Sequence, residues 1–267
     1  MNLLNGWRSK LGRSYWAWRL YHALVADAVA IQKPTKHKIV YDFLGKDLGT
    51  VADLGCGPGV FTRYLCAHAK QVWAADIDSA SLARVKGRHR NEEKLAFVVM
   101  NVESLPFPDG HLNTVLFLEV LEHVPDDAAA LGEVHRILAP GGRLVLSVPV
   151  PPGEVNEDEP WGHKREGYQL EEIVSLLRRS GFQVENHRFA QFRFSRLSEN
   201  LVRYWRRWLH LPAPVFLAWL GYLDHLLDAK KRETGSYLPA NVVILATKVT
   251  ATGRPKEVHG SNGQSSR

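Results

Sequence analysis

The sequence predicts an α/β domain built on a doubly wound, Rossmann-like sheet with helices on both faces. Three observations lead there: short apolar runs alternate with segments of helical period, a glycine-rich turn closes the first run, and 45% of the 267 residues are hydrophobic. Strands separated by helical stretches of this length indicate βαβ units, hence parallel strands covered on both sides. The 23% of charged residues is ordinary for a globular chain with a real core, and the length fits one such domain with elaborations.

Taken in order, residues 1–46 read as an N-terminal helical cap, broken near its middle by Pro34. Apolar runs follow at 50–54, 72–76, 96–100, 114–119 and 143–148, with helix-period segments at 60–67, 79–86 and 128–138. Pro140-Gly141-Gly142 predicts a stop and turn before the fifth run. A helix over 170–179 ends at Gly181, as helix C-termini favour. Strands are expected at 182–188 and 242–248, so the α/β domain extends over 47–250. Between those two strands lies a helical insertion, about 194–238, that a minimal sheet does not need. Residues 251–267, rich in Gly, Ser and basic residues, read as a disordered tail.

Two cysteines, Cys56 and Cys66, are too few for a disulfide framework and favour a reducing compartment. The formal net charge of +6 is compatible with nucleic acid, anionic lipid or no specific partner. The longest uncharged stretch, 208–223, is shorter than the roughly 20 apolar residues a bilayer requires. Arg13, Arg19 and His22 interrupt any apolar signal segment, so the expected location is cytoplasmic.

The chemistry concentrates in Asp53-Leu54-Gly55-Cys56-Gly57-Pro58-Gly59. A strand ends in glycines there and a helix begins; glycines allow the tight turn and let a ligand touch backbone. Dinucleotide enzymes use a similar turn, but their third glycine would fall at residue 60, which is Val60. An acidic residue just ahead of the glycines suits a cationic amino group better than a pyrophosphate. The turn therefore favours an aminoacyl sulfonium ligand over a nicotinamide dinucleotide.

On these residues the chain resembles the class I S-adenosylmethionine-dependent methyltransferases, and further motifs agree in order and spacing. Asp76 and Ile77 close the second strand, where the family's acidic residue holds the two ribose hydroxyls. Asn101-Val102-Glu103-Ser104-Leu105-Pro106-Phe107 resembles the family segment that frames the adenine. Asn101 stands where Asp is usual, so its amide oxygen accepts without charge assistance. Glu119-Val120-Leu121-Glu122-His123 follows the fourth strand, and Arg136–Gly142 resembles the family's Arg-x-Leu-x-Pro-Gly-Gly turn. Leu112-Asn113, where Phe-Asp is common, reads as structural. The resemblance implies a seven-stranded methyltransferase sheet, S-adenosyl-L-methionine as cofactor, and Asp53, Gly55, Cys56, Gly57, Gly59, Asp76, Ile77, Asn101, Val102 and Glu119 as its binding residues.

A carbon or hydroxyl acceptor usually needs a general base as well. His123 follows the fourth strand and either acts on the acceptor or shapes the loop, with Asp126 capping the next helix. His163, in the loop after the fifth strand, lies where ligands of parallel sheets bind, or is a solvated lid residue. Tyr168 is a similar but weaker candidate. Glu154, Glu157, Asp158 and Glu159, with His163, could be read as ligands for a hard divalent ion, but their spacing matches no metal motif and a solvated acidic loop is commoner, so no metal is expected. Cys56 and Cys66 read as small fillers.

Basic and aromatic residues cluster twice: Trp7, Arg8, Arg13, Tyr15, Trp16 and Trp18 within 1–24, and Arg203, Tyr204, Trp205, Arg206 and Trp208 within 194–230. In 215–227 apolar residues recur at helical spacing with Asp224 and Asp228 opposite, a pattern that suits a membrane interface or a lid packed on the sheet. The expected partner is a small or lipid-like acceptor, with membrane contact through those segments and the protein peripheral to the inner face of a membrane. No nucleic acid is expected, because no separate RNA-binding module is present. The competing readings are an NAD-linked oxidoreductase on a similar sheet and a non-catalytic, membrane-associated scaffold or sensor.

Overall fold

The computed structural model describes residues 34–151, 155, 162–190, 201 and 240–249. The cap ahead of residue 34, the acidic residues from Glu154 to Glu159 apart from position 155, nearly all of the insertion and the tail lie outside the described residues.

Helix α1 (Pro34–Leu44) leads into β1 (Thr50–Leu54), α2 (Thr62–His68), β2 (Gln71–Asp76), α3 (Ser79–Arg88), β3 (Leu95–Val99) and β4 (Leu112–Leu118). A 3₁₀ turn (Leu121–His123), α4 (Asp127–Ile137), β5 (Leu138–Pro149), α5 (Leu170–Arg179), β6 (Phe182–Ala190) and β7 (Asn241–Lys248) follow. Pro34 opens α1; a residue without an N–H suits the first helical position, where that donor has no partner. Helix starts are closed by side chains. Asp78 accepts from the Ala80 and Ser81 amides ahead of α3, and Asp126 accepts from Ala129 ahead of α4, the role its sequence position predicts. Gln169 and Glu172 form a capping box for α5.

Seven strands form one sheet in the order β3-β2-β1-β4-β5-β7-β6. The first five pair in parallel, as expected, whereas β7 runs antiparallel between β5 and β6. The turn expected at Pro140-Gly141-Gly142 lies inside β5: Gly141 takes φ +72°, and the register against β4 shifts between Leu112 and Thr114. Asn113 holds this place together by accepting from the Thr50 amide at 2.9 Å, which bears out its structural reading.

The strands alternate their side chains between two cores. Ala52, Val115, Phe117, Leu144 and Leu146 face α4 and α5 on one side, while Val51, Leu116, Val145 and Val243 face α1, α2 and α3 on the other. This arrangement places the reversal of strand order between β1 and β4. Ligands of open α/β sheets bind at the carboxyl ends beside such a reversal.

Leu116 is fully buried at the centre of the second core. Leu116→Ala should cost about 3 kcal/mol of unfolding free energy, measured by urea denaturation, because transfer and cavity terms add there.

Candidate active site

Two groups of polar residues stand at the carboxyl edge of the sheet, one around β1 and β2, the other around β4 and β5.

The first begins at the glycine turn. The Gly55 and Cys56 amides both donate to the Ala75 carbonyl, at 2.8 and 3.0 Å, stitching the turn to β2. Gly55 has φ +72°, and a β-carbon there would lie 2.3 Å from Cγ2 of Val120, so glycine lets the loops after β1 and β4 touch. Gly57 differs: its φ is +49°, but an added β-carbon would meet nothing within 4 Å. Its backbone therefore borders open space at the switch point, with its amide turned to a carboxylate. That carboxylate is Asp76, whose Oδ2 accepts from the Gly57 N–H at 2.7 Å and whose Oδ1 accepts from the Asp78 N–H at 2.9 Å. An ionised carboxyl offers about four acceptor positions, so two are left for a ligand.

Asp53 is only 4% exposed, and burial together with the charge of Asp76 pushes its carboxyl up to about 7. Cys56 is buried in the turn, where burial and the two aspartates hold its thiol well above the ordinary range, which leaves it a filler. Ile77 is unusually exposed for its type, at 48%, beside Asp76. Val102 is buried beneath the loop after β3. The Asn101 amide is partly engaged locally: its oxygen accepts from the Glu103 N–H at 3.1 Å, and its nitrogen donates to the Glu103 carboxylate, which leaves one lone pair and one N–H.

Glu119 follows β4 with φ +55°, the one non-glycine residue in the left-handed region among the described residues. Its carboxylate accepts from Ser147 Oγ and Asn241 Nδ2 and pairs with Lys36 Nζ, each at 2.7 Å. Lys36, Ser147 and Asn241 were missed in the sequence. Each sits on a different element, and nothing but a polar residue in an apolar run marks Ser147 or Asn241.

The second group follows. Glu122 is 1% exposed, His123 lies next to it, and the rings of His123 and His163 meet edge to face with centroids 4.6 Å apart. The loop after β5 is tied down around them. The Lys164 amide donates to the Glu122 carbonyl at 2.9 Å, and Arg165 pairs with Asp127 while donating to the Val124 carbonyl. Tyr168, also proposed from sequence as a proton carrier, is 1% exposed, with its hydroxyl donating to Asp127 Oδ2 at 3.0 Å. Burial raises its phenol well above the usual range. The structure thus joins His123 and His163 and uses Tyr168 as a brace.

Tyr168→Phe should accordingly lower stability by about 1 kcal/mol in urea unfolding, the worth of one buried hydrogen bond, and leave activity intact. Lost activity with unchanged stability would return the hydroxyl to the catalytic residues.

A family model described as methyltransferase domain matches residues 52–146. The chain is 32% identical over 160 residues to a Mycolicibacterium smegmatis protein named "Probable S-adenosylmethionine-dependent methyltransferase", an alignment covering 57% of this chain and 59% of that one. It is 35% identical over 104 residues to the ubiquinone biosynthesis O-methyltransferase of Pseudomonas paraeruginosa, covering 37% of this chain and 43% of the relative. The chain thus spans little more than half the length of the first of these relatives and less than half of the second. In fold it matches a solved S-adenosylmethionine-dependent methyltransferase from Mesorhizobium loti, with TM-score 0.54, 20% identity, and 79% of this chain and 96% of that chain covered. Residues 52–146 thus match a methyltransferase domain, and the seven-stranded sheet shares the fold of solved S-adenosylmethionine-dependent methyltransferases.

Proposed function

We propose that the chain methylates a hydroxyl or carbon of a lipid-like acceptor, with S-adenosylmethionine bound at the ends of β1 and β2 and the acceptor at the ends of β4 and β5. The observation that carries this reading is the pair of buried carboxylates, Asp53 and Asp76, facing one another electrostatically beside the open backbone of Gly57. Two such acids repel a pyrophosphate and attract a cation, which disfavours the dinucleotide alternative. Asp53 would hold the ammonium, and the free acceptor positions of Asp76 the ribose hydroxyls. Gly55, Cys56, Gly57 and Gly59 would supply backbone contact, Ile77 and Val102 apolar contact with the base, and Asn101 a polar one. Glu119 would support the cofactor side of the loop after β4.

When bound, the cofactor supplies a methyl group on positively charged sulfur, already activated for displacement. The protein's share is alignment, exclusion of water and removal of the acceptor's proton. His123 and His163 stand where the loops after β4 and β5 meet and are assigned that last task. A lipid-like acceptor is supported by the name of the ubiquinone-biosynthesis relative and by the basic, aromatic sequence of 1–24 and 194–230. Among the described residues no helix is long and apolar enough to cross a membrane, so contact with lipid would be peripheral.

Calorimetry with S-adenosylhomocysteine tests the first site. Asp76→Ala and Gly57→Val should each weaken binding at least about tenfold, through lost charged hydrogen bonds and a filled ligand space respectively. Full affinity in either variant, or tight binding of NADH alone, would defeat the assignment.

A pH dependence follows from Asp53. Its folded pKa is raised to about 7, above its unfolded value, so its contribution to stability is complete at acid pH and is lost as pH rises through about 7. An ammonium ligand needs the ionised form. Affinity for S-adenosylhomocysteine should therefore rise through about pH 7, with proton release on its acid side, and Asp53→Asn should bind weakly with a flat profile. A flat profile in the unaltered protein would contradict the role given to Asp53.

Liposome co-sedimentation tests the lipid side. The full chain should sediment with anionic vesicles, and a folded variant lacking residues 196–230 should stay largely in the supernatant. Equal recovery of both in the supernatant would discard membrane contact.

A further inference from the structure

We infer that Glu122, His123 and His163 form a binding site for a divalent first-row transition ion, of which zinc best suits the donors. One carboxylate oxygen and two imidazole nitrogens of these residues lie within 4.8 Å of one another. Metal bonds of about 2.1 Å put tetrahedral donors about 3.4 Å apart, so donors within 4.8 Å of one another need to draw in by no more than about 1.4 Å. His123 Nε2 and Glu122 Oε1 stand 3.9 Å apart. That separation is too long for a hydrogen bond and close to what two ligands of one ion require.

The surroundings favour a cation. Glu122 is buried in the middle of the 3₁₀ turn, next to His123. His123 Nδ1 is buried with no hydrogen-bond partner among the described residues, so part of this imidazole's polarity is unspent in a dry setting. The donors are also held at fixed places. The turn positions Glu122 and His123, while the loop carrying His163 is anchored by the Lys164 amide and by Arg165. Two imidazoles and one carboxylate match a borderline ion with an open fourth position; magnesium or calcium would call for oxygen donors throughout.

Sequence spacing gives no hint of this site, because His163 is 40 residues from His123 and only the parallel pairing of β4 with β5 brings their loops together. An ion there would occupy the imidazole lone pairs and so replace the two histidines as direct base, acidifying an acceptor hydroxyl as a Lewis acid instead. That consequence rests on the methyl-transfer reading; ion binding itself does not.

The untagged chain, dialysed against a chelator, is titrated with zinc by calorimetry and with cobalt(II) by visible absorption. One equivalent of zinc should bind, cobalt should develop d–d bands of a site with nitrogen ligands, and magnesium should give neither. His123→Ala and His163→Ala should each weaken zinc binding at least about tenfold and alter the cobalt bands. His163 lies on a half-buried loop, so its variant keeps the test decisive should the Glu122 or His123 variants misfold by circular dichroism. Absence of heat and bands, magnesium binding as tightly as zinc, or bands unchanged in both histidine variants would overturn the inference. S-adenosylhomocysteine affinity, measured in parallel, separates the two ideas. Cofactor binding without metal binding leaves methyl transfer standing and removes the ion, while metal binding without cofactor binding does the reverse.

Discussion

Asp53 and Asp76 are buried beside each other at the carboxyl ends of adjacent parallel strands, and burial together with the charge of Asp76 makes that of Asp53 harder to carry. No arrangement of neutral side chains removes that conflict; a cation does. The glycine turn serves the same place. Its amides bind the end of β2 and the Asp76 carboxylate, so the turn cannot move without disturbing the acid pair. The positive φ at Gly55 and Gly57 is what lets the chain make this turn against two loops at once. Electrostatic strain between the acids, conformational restriction in the turn and the space over Gly57 all converge on one kind of ligand.

Across the switch point a second constraint operates. Glu119 holds a backbone conformation that a side chain rarely adopts, at a cost of order 1–3 kcal/mol. Three partners from α1, β5 and β7 fasten its carboxylate there. The strain is thereby spread over the sheet and α1, and the loop that follows is delivered with Glu122 and His123 in place. The brace formed by Tyr168, Asp127 and Arg165 does the same for the loop carrying His163. The loops after β4 and β5 are therefore set by polar ties between them, not by their own propensities.

Much of the fold was legible because its periods are local. The first strand matches its expected bounds, 50–54, and the helices after β2 and β4 begin within one residue of the expected positions, each next to an aspartate whose capping role depends on its own neighbours. The misreadings involve longer-range competition. Pro140-Gly141-Gly142 is carried inside a strand as an irregularity, where the register against β4 passes from Leu138 to Arg143. Antiparallel β7 could not be told from a parallel strand, since a buried strand's apolar run has no direction.

By itself, the sequence determined the order of strands and helices and the glycine turn with its acidic neighbours, since spacing along the chain encodes each of these. Tertiary structure alone decided that Lys36, Ser147 and Asn241 would converge on Glu119, that Tyr168 would be walled in, and that Glu122 would be buried beside two histidines. The physical reason is that burial and proximity depend on which loops the sheet brings side by side. Residues 40 or more positions apart carry no record of that in their spacing.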